Sequence, residues 1–158
     1  MRGTEFDEAA FFQAIQKSGA RALLIGRRAL VFLGLPVLTA DYDFWLHIDD
    51  IDSFNRAAEP FGLFPSRTPD QARKSGRYVL ANDEHVDVLV ARAVTTVDGQ
   101  QVIQEEVWSR RRELPLKGGV SVAVPCIDDL IATKRFALRP RDVEDIRFLE
   151  SLRGMEDD

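Results

Sequence analysis

A short segment of alternating polarity constrains the fold of this chain more than any other feature. Residues 39–50 read TADYDFWLHIDD. Successive side chains of a β-strand point to opposite faces of the sheet, so a strand over residues 39–48 has two distinct faces. One face carries Asp41 and Asp43 with Trp45 and His47, and the other is apolar: Tyr42, Phe44, Leu46 and Ile48. The segment therefore predicts a strand of a sheet with one buried face and one acidic face.

A later strand has matching parity. Over residues 85–91 the alternation sends Val86, Val88 and Val90 to the core and places Asp87 on the opposite face, with His85 and Leu89. If the two strands are neighbours, Asp41, Asp43 and Asp87 converge on one sheet face.

Three close carboxylates raise one another's pKa values unless cations neutralise them. Magnesium prefers oxygen ligands and is often shared between one or two carboxylates and substrate phosphates. Asp41, Asp43 and Asp87 therefore indicate a two-metal phosphoryl-transfer site that binds Mg²⁺ or Mn²⁺. The alternative is that Asp41 ends a turn, Asp43 lies on a solvated face and Asp87 pairs with an arginine.

The remaining pattern predicts an α/β (α+β) fold in one domain, residues 1–158, with a core over residues 20–125. We expect a mixed, largely antiparallel sheet, helices packed on the face away from the acids, and a helical C-terminal extension over residues 127–152. Residues 65–76 contain Arg67, Arg73 and Lys74, precede Arg77, and indicate a loop, either solvated or a mobile basic flap. Further strands are predicted over residues 22–25, 77–81, 113–116 and 120–124, and helices over 7–18, 27–33, 50–59, 100–111, 127–138 and 140–152.

Composition excludes several classes of protein. The net charge of −5 disfavours bulk electrostatic coating of nucleic acid or an anionic membrane. A single cysteine, Cys126, allows neither an intrachain disulfide nor a multi-cysteine zinc site. No apolar run approaches the roughly 20 residues that span a bilayer, and the N-terminus lacks a secretory pattern. These features predict a cytoplasmic protein with no membrane partner.

Two segments resemble the nucleotidyltransferase superfamily. The run LLIGRRALVFLGLPVLTADYDFWLHI is similar to its signature of a glycine, a short spacer and an Asp-apolar-Asp pair, with a third acid on a later strand. Gly26, Asp41, Asp43 and Asp87 match. The run VPCIDDLIATKRFALRPRDVEDIRFLE resembles the helical tail of small bacterial members, including the abortive-infection toxin type. There the matching residues are Lys134, Arg139, Arg141 and Asp142.

The resemblance implies an enzyme that transfers a nucleoside monophosphate from a nucleoside triphosphate, such as ATP, to an acceptor. In the implied site Asp41, Asp43 and Asp87 hold metal and perform catalysis, while Gly26, Arg27, Lys134 and Arg139 bind the nucleotide. RNA, a protein or a small molecule all fit as acceptor. Arg27 departs from the family pattern, which places a small residue after the glycine, so it either adds charge to the phosphates or obstructs them. A catalytically degenerate binding protein is one alternative, and a purely structural partner domain, for example the antitoxin half of a toxin–antitoxin pair, is another.

Other polar residues suggest weaker hypotheses. A transition-metal site could use His47, His85 and an aspartate. A basic patch of Arg110, Arg111, Arg112 and Lys117 could dock RNA or an acidic protein, although basic residues at a helix C-terminus are also favoured electrostatically. The two tryptophans and Cys126 are expected to pack in the interior.

Overall fold

The computed structural model describes residues 6–157 and contains a five-stranded mixed sheet. Its strands lie in the order β1-β2-β5-β4-β3, with β2 and β5 parallel and the other neighbours antiparallel. Their bounds are β1 Ala22–Ile25, β2 Asp41–Leu46, β3 Phe64–Pro65, β4 Arg77–Ala81 and β5 His85–Leu89. This arrangement confirms the predicted α/β class with its mixed sheet.

Besides three short 3-10 helices, the described part of the chain contains two antiparallel hairpins and seven α-helices. The hairpins pair β6 Ala93–Thr95 with β7 Gln101–Ile103, and β8 Arg112–Pro115 with β9 Ser121–Val124. The helices are α1 Glu8–Ser18, α2 Gly26–Phe32, α3 Ile51–Ala58, α4 Pro69–Ser75, α5 Gln104–Ser109, α6 Ile127–Lys134 and α7 Pro140–Asp157. No helix among residues 6–157 has the length and apolar character needed to cross a bilayer.

Different helices pack on the two faces of the sheet. On one face Phe44 and Val88 are buried beneath α1 and α3, in a core rich in edge-to-face aromatic contacts such as Phe11 with Phe44. On the other face Trp45 is fully buried in a smaller cluster with residues of α5 and α6. The smaller cluster covers only part of its face, and the half that carries the acidic residues lies open as a cleft.

Capping residues fix the bounds of the N-terminal helix as predicted. Asp7 accepts a hydrogen bond from the Ala10 backbone N–H at 3.0 Å, and Gly19 ends the helix in the left-handed region at φ 75°. At α3, Asp50 stands at the N-cap position but makes no cap hydrogen bond. Its carboxylate instead accepts hydrogen bonds from the Arg21 backbone and guanidinium, at 2.8–3.0 Å.

The prediction of a loop over residues 65–76 was wrong. Residues 69–75 form α4, which begins with a reciprocal capping box between Thr68 and Gln71, has Pro69 in its first turn and ends at Gly76 in the left-handed region. These are strong local signals for a helix, and they outweigh the abundance of proline, serine and glycine.

Several boundaries also differ from those predicted. The predicted helix over residues 100–111 begins as strand β7, because residues 101–103 pair with β6, and becomes helical only at Gln104. The strand predicted over residues 39–48 is shorter, at 41–46, and α6 ends at Lys134, whereas α7 extends to Asp157.

Candidate active site

The parallel pairing of β2 with β5 brings the three predicted carboxylates to one sheet face. Asp43 lies opposite Asp87 in the register, and Asp41 lies opposite His85. Neighbouring strands are about 4.8 Å apart, so side chains at paired positions are direct neighbours. The Nε2 atom of His85 lies 3.2 Å from Oδ1 of Asp87. The predicted convergence of Asp41, Asp43 and Asp87 on one face is therefore observed.

Asp43 is electrostatically unlike an ordinary surface carboxylate. Burial, followed by the charges of Asp87 and Asp41, raises its pKa from an ordinary 3.8 to about 6, and the cations of Lys134 and Arg141 offset only part of this increase. An anionic Asp43 is thus costly unless a further positive charge arrives. A bound cation would offset the negative charges of Asp43 and its neighbours and so remove this cost.

Gly26 meets Asp43 at the end of β1. Its φ of +70° lies in the left-handed region, and a Cβ atom built there would lie 2.5 Å from Oδ2 of Asp43. Both the backbone conformation and the space exclude any other residue without a shift of structure. Gly26 therefore lets the turn into α2 approach the carboxylate cluster closely.

A cleft of about 550 Å³ opens over the acidic face. All seven predicted site residues line it, and they are Gly26, Arg27, Asp41, Asp43, Asp87, Lys134 and Arg139. One wall is formed by residues near the start of α2 and by α6 and α7. The opposite wall is formed by Ser66, Arg67, Arg77 and Val79 of the β3–α4–β4 segment.

A buried cluster of ion pairs joins the first wall to helix α7. Asp145 lies 3.2 Å from Nη2 of Arg27 and 2.9 Å from Nζ of Lys134. Asp142 lies 3.0 Å from Nε of Arg139 and 3.8 Å from Nζ of Lys134. Both aspartates are 1% exposed and Lys134 is 5% exposed. The three cations predicted to bind nucleotide therefore already share two carboxylates.

The pairing with Arg139 and Lys134 lowers the pKa of Asp142. Burial would raise it, but hydrogen bonds from the Arg139 side chain and backbone, together with the charges of Arg139 and Lys134, hold the pKa below its usual range. Asp145 was not among the predicted site residues, and it lies 118 residues from Arg27. Its one signal is the spacing of Asp142 and Asp145, three residues apart, which places both on one side of α7.

The site suits a hard divalent cation only in part. Among residues 6–157, no three His, Cys, Asp or Glu side chains converge, as they stand, into a ligand set for one metal ion. Magnesium, however, is usually held by one or two carboxylates and completes its shell with phosphate oxygens and water. The paired carboxylates Asp43 and Asp87 match that chemistry, and the raised pKa of Asp43 is the feature that a cation would reverse.

The structure places the two histidines of the hypothetical transition-metal site far apart. His85 lies beside Asp41, whereas His47 lies six residues further along the chain, about 20 Å at strand spacing, so the two histidines cannot share a metal. His47 is buried, and its Nε2 lies 2.7 Å from Oε1 of Glu105.

The other polar candidates also have structural partners. The arginines of the basic patch bind carboxylates, with Arg110 pairing Asp129 and Arg112 pairing Glu156. Trp45 packs in the core as predicted, and Cys126 is only partly buried.

No protein-family model matches this chain, and no curated protein matches it in sequence. Solved structures do match. The antibiotic-resistance factor ANT(2'')-Ia, in complex with adenylyl-2''-tobramycin, aligns with a TM-score of 0.63 and 16% identity, over 94% of this chain and 88% of that one.

Two further structures agree. The lincosamide antibiotic adenylyltransferase LnuA aligns with a TM-score of 0.61 and 14% identity, over 94% of this chain and 99% of that one. A candidate nucleotidyltransferase from Thermotoga maritima aligns at 0.56 and 14%, over 93% and 88%. The chain therefore has the nucleotidyltransferase fold, as the sequence resemblance implied.

Proposed function

We propose that this protein is a divalent-metal-dependent nucleotidyltransferase. It would transfer a nucleoside monophosphate from a nucleoside triphosphate to a hydroxyl acceptor, with pyrophosphate as the leaving group. The observation that carries the proposal is the cluster of three carboxylates, on adjacent parallel strands, at the floor of a cleft bordered by cations and by the close-approach glycine. The adenylyltransferase activity named for LnuA and the adenylyl-2''-tobramycin bound to ANT(2'')-Ia support the same reaction class.

Each residue has a role in this proposal. Asp41 and Asp43 would hold Mg²⁺ or Mn²⁺, and Asp87 would complete the site. A bound ion would supply positive charge to the triphosphate oxygens. Gly26 leaves room for the phosphates next to Asp43, because it has no side chain to occupy that space. Arg27, Lys134 and Arg139 would neutralise the phosphates from the α2–α6–α7 wall.

The chemical step balances on these groups. The acceptor oxygen attacks the α-phosphorus, and the bond from that phosphorus to the bridging oxygen of the β-phosphate breaks. Asp87 accepts the proton of the acceptor hydroxyl, and its neighbour His85, 3.2 Å away, orients the carboxylate. Pyrophosphate leaves along the wall that carries the three cations.

A second candidate function rests on one specific observation. Arg27 stands where the superfamily signature has a small residue, and it is engaged with Asp145. Because Lys134 and Arg139 are also paired with carboxylates, the cleft could bind a nucleotide or a partner without turning it over. A degenerate binding protein with the nucleotidyltransferase fold is therefore the competing account.

Label transfer tests the proposed reaction. The protein is incubated with Mg²⁺, cell extract and each nucleoside triphosphate labelled at the α-phosphate, and labelled products are sought among RNA, proteins and small molecules. We expect one class to acquire label with the parent protein and none with Asp41→Asn or Asp43→Asn. Asp52→Asn, which removes an exposed carboxylate of α3, is the matched control and should retain transfer. Equal labelling by the parent and both active-site variants would contradict the proposal.

Arg27→Ser distinguishes the enzyme from the degenerate binder. If Arg27 binds phosphate in an enzyme, the variant should lose affinity for a non-hydrolysable triphosphate by roughly 10- to 100-fold, as expected for one charge-assisted contact. If Arg27 obstructs the site, the same change should increase affinity. Titration calorimetry with Mg²⁺ measures the sign, and an unchanged dissociation constant would contradict both roles.

A further inference from the structure

The two walls of the cleft differ in how their cations are engaged. On the α2–α6–α7 wall, Arg27, Lys134 and Arg139 pair with carboxylates of α7, and only Arg141 lines the cleft without an ion pair to any side chain in residues 6–157. On the β3–α4–β4 wall, Arg67 and Arg77 line the cleft, and neither forms an ion pair with any side chain in the described residues 6–157. Residues 65–81 contain four basic residues and one acidic residue, although the whole chain has a charge of −5. We refer to Ser66, Arg67, Arg77 and Val79 as the basic wall.

The basic wall is held in place by its own hydrogen bonds. The Nη1 atom of Arg67 donates to Oγ of Ser75 and to the backbone carbonyl of Arg77, each at 2.7 Å. Ser66 accepts a hydrogen bond from the Val79 N–H at 3.0 Å. The guanidinium of Arg67 is thus already oriented, and it keeps N–H donors that these two bonds do not use. An anion that binds there meets a preorganised partner, which lowers the entropic cost of binding.

An exposed aromatic ring lies beside this wall. Phe64 is 65% exposed on the edge strand β3. The register runs from Phe64 to Ala81, from Ala81 to His85 and from His85 to Asp41, so these residues form one row across the sheet. Strand alternation places Phe64 on the same face as the three carboxylates, about 10 Å from His85 at the usual strand spacing.

We infer that the basic wall and Phe64 bind the acceptor, and that the acceptor is a single-stranded nucleic acid. Unpaired arginines in a groove bind the phosphates of a strand, and an exposed aromatic ring stacks on its bases. The two features lie on the sheet face that carries the carboxylates, so a strand held by them can present its terminal hydroxyl to Asp87. A polycationic acceptor would be repelled by the same arginines. The inference rests on the proposed function, because it names the acceptor class for that cleft.

Fluorescence anisotropy tests the inference without any turnover. The probes are 5′-labelled single strands of RNA and of DNA, about 12 nucleotides long, and the corresponding duplexes. The variants are Phe64→Ala and Arg77→Gln, and neither side chain forms a hydrogen bond within residues 6–157. The matched controls are Met155→Ala, which removes another exposed apolar side chain, and Arg56→Gln, which removes an exposed arginine of α3. Circular dichroism verifies that each variant is folded.

The two variants should change single-strand binding in different ways. Phe64→Ala should weaken single-strand binding by roughly 5- to 100-fold with an unchanged salt dependence, because it removes a stacking contact. Arg77→Gln should reduce the slope of log K against log salt by about 0.7, because it removes one phosphate contact. Binding by the variants equal to that of the controls, duplex binding as tight as single-strand binding, or no binding to any strand would overturn the inference.

The comparison of RNA with DNA identifies the strand. Tighter binding of RNA assigns a role to the 2′-hydroxyl, and equal binding assigns recognition to phosphates and bases alone; both results support the inference. A protein that binds single strands but transfers no label retains this acceptor surface and loses the proposed function. A protein that labels an uncharged or cationic acceptor and binds no strand retains the function and loses this inference.

Discussion

The raised pKa of Asp43 leads to a quantitative prediction about stability. In the native protein the pKa is about 6, against an ordinary 3.8. The native state therefore binds more protons than the unfolded state between these two values, and the free energy of unfolding falls as pH rises from about 4 to about 6. Each pKa unit corresponds to about 1.4 kcal/mol, so an anionic Asp43 destabilises the metal-free protein by about 2 to 3 kcal/mol at pH 7.5.

Asp43→Asn removes this cost, since the amide has no charge to bury beside Asp87 and Asp41. We expect the variant to be more stable than the parent by about 2 kcal/mol at pH 7.5 in chelator, and nearly equal to it at pH 4, where the parent carboxyl is protonated. Urea unfolding followed by circular dichroism measures the difference at each pH. Saturating Mg²⁺ should narrow the difference at pH 7.5, because a cation that binds only the native carboxylates stabilises the parent.

Asp52→Asn is the control for general effects of losing one negative charge, and it should show no comparable trend with pH. A stability difference between the parent and Asp43→Asn that stays constant from pH 4 to pH 7.5 would contradict a raised pKa for Asp43. In that case the three carboxylates would not interact strongly.

Two further variants test the supports of the cleft. Gly26→Ala should lose about 2 to 4 kcal/mol of stability in urea unfolding, because it combines a left-handed backbone with a contact of 2.5 Å to Asp43. Gly99→Ala is the control, because Gly99 has a similar φ of +89° and no described atom lies within 4 Å of its added Cβ. It should lose only the stability that the left-handed backbone costs. Equal losses of stability in the two variants would contradict the predicted contact with Asp43. Asp142→Asn should destabilise the protein by about 3 to 5 kcal/mol at pH 7, because it leaves Lys134 and Arg139 short of a carboxylate. As the pKa of Asp142 is lowered, this loss should shrink when pH falls below about 4 and through the native pKa, and a loss independent of pH would exclude an electrostatic origin.

Side-chain alternation made much of the site predictable from sequence. The parity of residues 41–46 and 85–89 depends only on the strand period, so the shared face of Asp41, Asp43 and Asp87 could be inferred once the strands were assumed to be neighbours. That the strands are parallel and adjacent is a tertiary property, which their sequences do not encode separately. The glycine at position 26 was visible as a turn, but its close contact with Asp43 required the fold.

The features that sequence reasoning missed depend on contacts between distant segments. Arg27 was interpreted as a phosphate ligand or an obstruction, whereas the structure engages it with Asp145, a residue of the last helix. Strand β7 was predicted as the start of a helix. This prediction failed because the pairing of β7 with β6 outweighs the local preference. Helix α4 is a different case, because its capping signals are local and visible in the sequence. They are Thr68, Pro69, Gln71 and Gly76.

The proposed function requires that the three carboxylates and the glycine turn form one site for a divalent metal and a triphosphate. A crystal structure with Mn²⁺ and a non-hydrolysable nucleoside triphosphate would reveal whether they do, because the anomalous signal of manganese distinguishes the metal from water and lighter ions. We expect manganese bound by carboxylate oxygens of Asp43 and its neighbours Asp41 and Asp87, with the triphosphate passing Gly26 toward Lys134 and Arg139. Manganese bound elsewhere, or a triphosphate that settles outside this cleft, would contradict the proposed function.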